Sequence, residues 1–181
     1  MAVSQYMNAY LLEHYPCQTR VYSGDSLDAV CEDANRWGAD LFVSNHFNAG
    51  GGDGYEALVH NESRVALGKV FEKYVLEIGQ NSRGVKIRPD LWVLKYTDMP
   101  AVLNEGAFVD NQTDIDAWND EEELKALGIA YAKAAAEVLG LEKKENAPYY
   151  VYYRLGPFRD QKVAEEIAEI FRAAGWEVVR E

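Results

Sequence analysis

The sequence predicts an α/β fold, a mostly parallel twisted sheet flanked by helices. Three observations carry that expectation. Short apolar runs alternate with longer stretches whose apolar residues recur every three or four positions. Glycine or proline marks most junctions. A strand, helix, strand order occupies residues 19–45, the signature of a βαβ unit in a largely parallel sheet.

Residues 3–15 read as a helix, with Met7, Tyr10, Leu11 and His14 at helical spacing and Pro16 as its stop. Thr19–Tyr22 is a short strand. Asp25 or Ser26 caps a second helix, on which Leu27, Val30, Cys31, Ala34 and Trp37 share a face, and Gly38 ends it. The buried strand Asp40–Asn45 follows. After the glycine-rich turn Ala49–Gly54 come a strand, Tyr55–Val59, and a long helix from about Ser63 to Ile78. Val85–Ile87 and Leu91–Leu94 read as a strand pair around the turn at Pro89-Asp90, and Ala101–Asn104 as another short buried strand. Asn111–Asp116 is a loop or short turn. A final helix runs from about Glu121 to Leu139 with an alanine-rich face.

The charged stretch 140–148, ending in Pro148, reads as a linker between a main domain at 1–139 and a small appendage at 149–181. In the appendage the pattern restarts as a tyrosine-rich strand, Tyr149–Arg154, then a turn, a helix marked by Val163, Ile167 and Ile170, and a last strand after Gly175-Trp176. So short a βαβ fragment can hardly bury a core of its own, so it must dock on the main domain, pair with another copy, or be part of a larger unit.

Composition narrows the partners. With 48% hydrophobic and 27% charged residues, the chain of 181 residues has the balance of a globular protein with a sizeable core. A net charge of -12 argues against nucleic acid, whose phosphates need clustered Lys and Arg. No apolar run approaches the roughly 20 residues of a membrane span, and the first residues do not resemble a secretory signal. Cys17 and Cys31 fit neither a metal spacing nor a disulfide framework and read as free, buried thiols.

Two polar residues end apolar runs: His46 after Leu41-Phe-Val-Ser-Asn, and Glu105 after Ala101-Val-Leu-Asn. Strands of an open α/β sheet deliver their terminal side chains to the carboxyl edge, where such folds place their chemistry. His46, surrounded by Ser44, Asn45 and Asn48, is either a metal ligand or a polar strand end. Glu105, beside Gly106, is either a general base whose pKa burial raises, or a carboxylate paired with a cation. His14 reads as a surface or half-buried helical histidine and His60 as an exposed one, both without a role. The glycine-rich turn lacks the residues of a phosphate loop, and no His-Glu-x-x-His, Gly-x-Ser-x-Gly or Cys-x-x-Cys occurs.

The run Gly38-Ala-Asp-Leu-Phe-Val-Ser-Asn-His46-Phe-Asn48-Ala, then Gly52-Asp-Gly-Tyr-Glu56, then Met99-Pro-Ala-Val-Leu-Asn-Glu105-Gly-Ala-Phe-Val-Asp-Asn111 resembles the type 3 family of zinc-dependent N-acetylmuramoyl-L-alanine amidases, over about residues 3–139. The resemblance implies that His46 binds zinc and that Glu105 is the catalytic residue assisting a zinc-bound water. It implies cleavage, in peptidoglycan, of the amide between N-acetylmuramic acid and L-alanine, by autolysins or endolysins acting at the cell wall or outside the cell. Members of the family begin with a strand and a Gly-His-Gly loop holding one ligand, then a glutamate ligand. This chain starts at the following helix, with Ser4 near the glutamate's position, so two expected ligands are missing from it. The tail from Tyr150 to Trp176 resembles the first half of a sporulation-related repeat, a module that binds peptidoglycan glycan strands.

The expectation is therefore a zinc-dependent peptidoglycan amidase domain with a partial wall-binding segment. Its competitor is a catalytically degenerate homologue that binds peptidoglycan without cutting it, and a weaker third reading is another zinc hydrolase such as a carboxypeptidase. Loss of the first strand predicts an exposed sheet edge through which copies could associate, with the half repeat as a second route.

Overall fold

The computed structural model of the protein divides into two compact units, Met1–Glu145 and Asn146–Glu181. It describes residues 2–22 and 26–144, all in the first unit. The linker and the sporulation-type repeat expected at 140–148 and 149–181 lie outside the described residues, apart from 140–144.

Four strands, β1 (Phe42–Asn48), β2 (Tyr55–Val59), β3 (Ser82–Ile87) and β4 (Ala101–Phe108), form one sheet in the order β1-β4-β2-β3. The pairs β1·β4 and β2·β3 are parallel, and β2·β4 is antiparallel. This is the mostly parallel α/β sheet expected. Helices α1 (Ala2–His14), α3 (Val65–Glu77) and α6 (Glu121–Val138) cover one face, where Met7, Leu11, Phe71, Val75, Leu127 and Tyr131 pack on Tyr55, Ala57, Val59 and Val102. On the other face, under α2 (Leu27–Trp37) and the single turn α4 (Trp92–Lys95), Cys31, Val93 and Leu94 pack on Leu58, Ala101 and Leu103. Alternate residues of β2 and β4 thus feed two cores, which is why Ala57–Val59 and Ala101–Leu103 are apolar without a break.

Caps fix the helix boundaries. The Ser26 hydroxyl accepts from Ala29 N, and Gly38, at φ 70°, closes α2 in the left-handed conformation that glycine adopts at little cost. Asp120 and Glu123 form a reciprocal capping box at the start of α6.

Four local expectations need correction. Thr19–Tyr22 forms no strand; no strand of the sheet lies beside it, and Val21 and Tyr22 stay 46% exposed, so β-compatible side chains alone do not make a strand. The βαβ unit expected there is instead supplied by β2, α3 and β3. Leu91–Leu94 does not pair with β3. Adjacent Val93 and Leu94 are both buried on one side, as a helical turn permits and strand alternation forbids. Residues Gln112–Ala117 form a short helix, α5, capped by the Asn111 side chain. Finally, Cys31 is buried as expected, but Cys17 is only half-buried.

Candidate active site

His46 and Glu105 lie inside strands, slightly beyond the ends that the sequence suggested. They are direct register partners across the parallel β1·β4 pair, so both side chains leave the same face of the sheet near its carboxyl end. On β4's other side Glu56 of β2 is the register partner of Glu105, which makes a row of His46, Glu105 and Glu56 across adjacent strands. The position of Glu56 is a surprise. In Tyr55-Glu-Ala-Leu-Val59 a single polar residue reads as an ordinary outward side chain, and its cationic partners are 27 and 30 residues away, so no local pattern announces the pairing.

The polar neighbours expected around His46 divide between the faces. Ser44 lies two residues before His46 on the same face, and its hydroxyl is 2.9 Å from His46 Nε2. Asn48 donates to Glu56 Oε2 at 3.3 Å. Asn45 points the opposite way, where its Nδ2 donates to Ser4 Oγ at 3.1 Å and its Oδ1 accepts from Asn104 Nδ2 at 3.0 Å. Tyr55 in turn donates to Asn104 Oδ1 at 2.7 Å, so a chain of amides and hydroxyls ties β2, β4, β1 and α1 together behind the site. Ser4, His46 and Asn45 also line a cavity of about 250 Å³ with Val3, Phe47, Leu127 and Tyr131.

The titration of the row follows from its surroundings. Burial, and then repulsion from Glu56, push the Glu105 carboxyl up to about 7, against a smaller opposing pull from Arg88. Its Oε2 is buried and has no hydrogen-bond partner among the described residues. Glu56 is different, although 5% exposed. Burial acts to raise its pKa, but hydrogen bonds from Lys86 and Arg83 outweigh that and hold it below the ordinary carboxylate range. The outer side of His46 is open to solvent, yet crowding of the ring by protein lowers its pKa. At neutral pH the row therefore presents a neutral imidazole, a carboxyl poised near its midpoint and a firmly ionised carboxylate.

His14 and His60 take no part in the row. His14 stacks on Tyr10 with ring centroids 4.0 Å apart, and His60 is half-buried rather than exposed. The glycine-rich turn is tied down, with Gly50 and Gly51 donating to Asp110 Oδ2 at 2.7 and 3.0 Å.

A catalytic zinc takes three protein ligands with a fourth position left for water. Among the described residues no group of three or more His, Cys, Asp or Glu side chains could hold a metal. His46 offers one imidazole and Ser4 a hydroxyl already engaged with Asn45. The donors present do not by themselves complete a zinc site.

A carboxyl with its pKa near neutrality beside an imidazole at a sheet rim can take up or release a proton at physiological pH. The chain belongs to the N-acetylmuramoyl-L-alanine amidase family, whose model matches residues 1–137. It is 28% identical to the N-acetylmuramoyl-L-alanine amidase CwlM of Bacillus licheniformis, over 99% of this chain and 70% of that protein. Identity to the sporulation-specific N-acetylmuramoyl-L-alanine amidase of Bacillus subtilis (strain 168) is 26%, over 85% of this chain and 61% of that protein. With the endolysin of Bacillus phage SPP1 it is 36%, over 61% and 44% respectively. Among solved structures, the catalytic domain of the amidase CwlV from Bacillus (Paenibacillus) polymyxa var. colistinus superposes with a TM-score of 0.71 at 24% identity, covering 78% of this chain and 83% of that one, a likeness of fold.

Proposed function

We propose that the protein acts on peptidoglycan, hydrolysing the amide between the lactyl group of N-acetylmuramic acid and L-alanine, with Glu105 as the general base. The observation that carries this reading is the register pairing of His46 with Glu105 on one face, with the Glu105 carboxyl held near pH 7. Membership of the amidase family and the names of its relatives support it.

In the proposed reaction Glu105 takes a proton from water as the oxygen bonds to the amide carbon. It returns that proton to the nitrogen as the C–N bond breaks, leaving a lactyl carboxylate and a free L-alanine amine. Burial first, and then the ionised Glu56, keep the Glu105 pKa high and so strengthen the base. The family resemblance assigns a zinc ion to this chemistry, and His46 is the residue of this chain that would hold it. The remaining ligands are not among the described residues, and no step above is written through the metal.

The test is digestion of purified cell walls, with and without added zinc, scored for new amino-terminal alanine. Appearance of those ends, and their loss in Glu105→Gln, is the expected result. Walls that bind the protein without yielding alanine ends would establish the non-catalytic reading, and new ends at other residues would establish a peptidase. Residues 149–181 are proposed to contribute wall affinity in the manner of the sporulation-related repeat they resemble. Deleting them should weaken sedimentation with walls.

A further inference from the structure

We propose that Arg83 and Lys86 form a carboxylate-binding subsite that reads the free α-carboxylate of the second residue of the stem peptide, the D-glutamate attached to L-alanine. This rests on the amidase reading above and adds to it the part of the substrate that positions the peptide.

The sheet order places the pair in line with the chemistry. Across one face run His46 on β1, Glu105 on β4, Glu56 on β2, and then the side chains of β3 that reach Glu56. Arg83 Nε donates to Glu56 Oε1 at 2.6 Å, and Lys86 Nζ donates to the same oxygen. One carboxylate thus anchors two cations, so Arg83 and Lys86 carry one positive charge beyond what Glu56 neutralises, with Glu105, the register partner of Glu56, as the nearest further carboxyl. A single cation would have neutralised Glu56.

Arg83 is held so that its outer edge is presented. Its guanidinium carbon lies 5.4 Å from the centre of the Phe108 ring, and Nε is its one recorded hydrogen-bonding atom among the described residues. The terminal amino groups remain for a ligand, on a side chain 42% exposed. A planar, fixed guanidinium with a free edge is the group that binds carboxylates in two-pronged fashion. Arg88 makes the contrast. Asp90 occupies it through both Nε and Nη2, at 2.9 and 2.7 Å, so its fork is already filled.

Spacing fits the same substrate. Adjacent strands lie roughly 4.8 Å apart, so β3 stands about 10 Å from β4 across the face. From the scissile amide, one alanine and the next α-carbon span roughly 7 Å of extended backbone. The α-carboxylate on that carbon then comes within reach of Arg83 while the amide sits over Glu105 and His46.

The experiment uses the full chain carrying Glu105→Gln, which cannot turn the ligands over, titrated with N-acetylmuramoyl-L-alanyl-D-glutamate and with the corresponding D-isoglutamine, whose α-carboxylate is an uncharged amide. The acid should bind on the order of tenfold more tightly, the ratio that one charge-assisted contact supplies. That ratio should shrink with added salt. Arg83→Gln on the same background, in which Lys86 still neutralises Glu56, should bring the ratio close to one, and Lys86→Gln should reduce it. Equal binding of acid and amide overturns the subsite, as does a preference that survives Arg83→Gln. New alanine ends formed by the unsubstituted protein alongside equal binding sink the subsite alone. Failure of both ligands to bind, with no new alanine ends from cell walls, removes the amidase reading with it.

Discussion

Glu105 carries two predictions that separate its chemistry from its cost. In its proposed role as general base Glu105 must be ionised, so kcat/KM for the formation of new alanine ends should rise with pH through an apparent pKa of about 7 and flatten above it. A profile already flat from pH 5 would assign the base elsewhere. Because the folded-state pKa is raised above the ordinary 4.5, the unfolded chain releases this proton first. Ionised Glu105 therefore destabilises the fold progressively as pH rises from about 4.5, with the full cost present above about 7. Glu105→Gln should remove that cost, raising stability by about 1–2 kcal/mol at pH 8, since partial solvent access discounts the whole shift, and by nearly nothing at pH 4. Denaturant melts at the two pH values check it, while the rate of new alanine ends from cell walls falls at least about a hundredfold. His46 and Glu105 were legible because each is the polar residue that closes an apolar run. Glu56, Arg83 and Lys86 were not, because their relation exists only once β2 and β3 are paired.

Among the elements, the joint between α1 and α6 is set by Gly128. A Cβ there would stand 2.7 Å from the carbonyl oxygen of Val3 and 2.6 Å from Tyr6 Cβ, and the backbone contact cannot rotate away. Gly128→Ala should cost about 1–3 kcal/mol, read as a lower denaturation midpoint. The loop after β4 depends on Asp114, buried at 2% exposure, which accepts from Gly54 N at 2.9 Å, Phe108 N at 2.7 Å and Gln80 Nε2 at 3.2 Å. Asp114→Ala strands those donors and should cost about 2–4 kcal/mol. Helices were legible where periodicity and a cap agreed, as for α2, and α6 from its alanine-rich face alone. Thr19–Tyr22 and Leu91–Leu94 were misread for one reason: short apolar runs fit strand and turn alike, and the choice falls to neighbours distant in sequence. Asp114 went unnoticed in a segment that reads as a polar turn, although it joins three separate parts of the chain.

At the scale of the molecule the α/β class was readable from alternation alone, while the strand order was not, since β4 enters between β1 and β2 through contacts no local pattern encodes. That order leaves β1 at the margin of the sheet, with one side of its backbone free of a partner strand among the described residues. Self-association along that margin is the expected outcome, opposed by the repulsion between chains of charge -12 and so favoured by salt. Sedimentation velocity at low and high ionic strength tests it, and a mass that stays monomeric across both conditions and a wide concentration range refutes it. The same strand bears His46, whose ring looks outward beside Ser44. That makes the imidazole a built-in gauge: whatever settles along the border strand will alter its hydration, and a proton resonance followed through its titration will register the arrival.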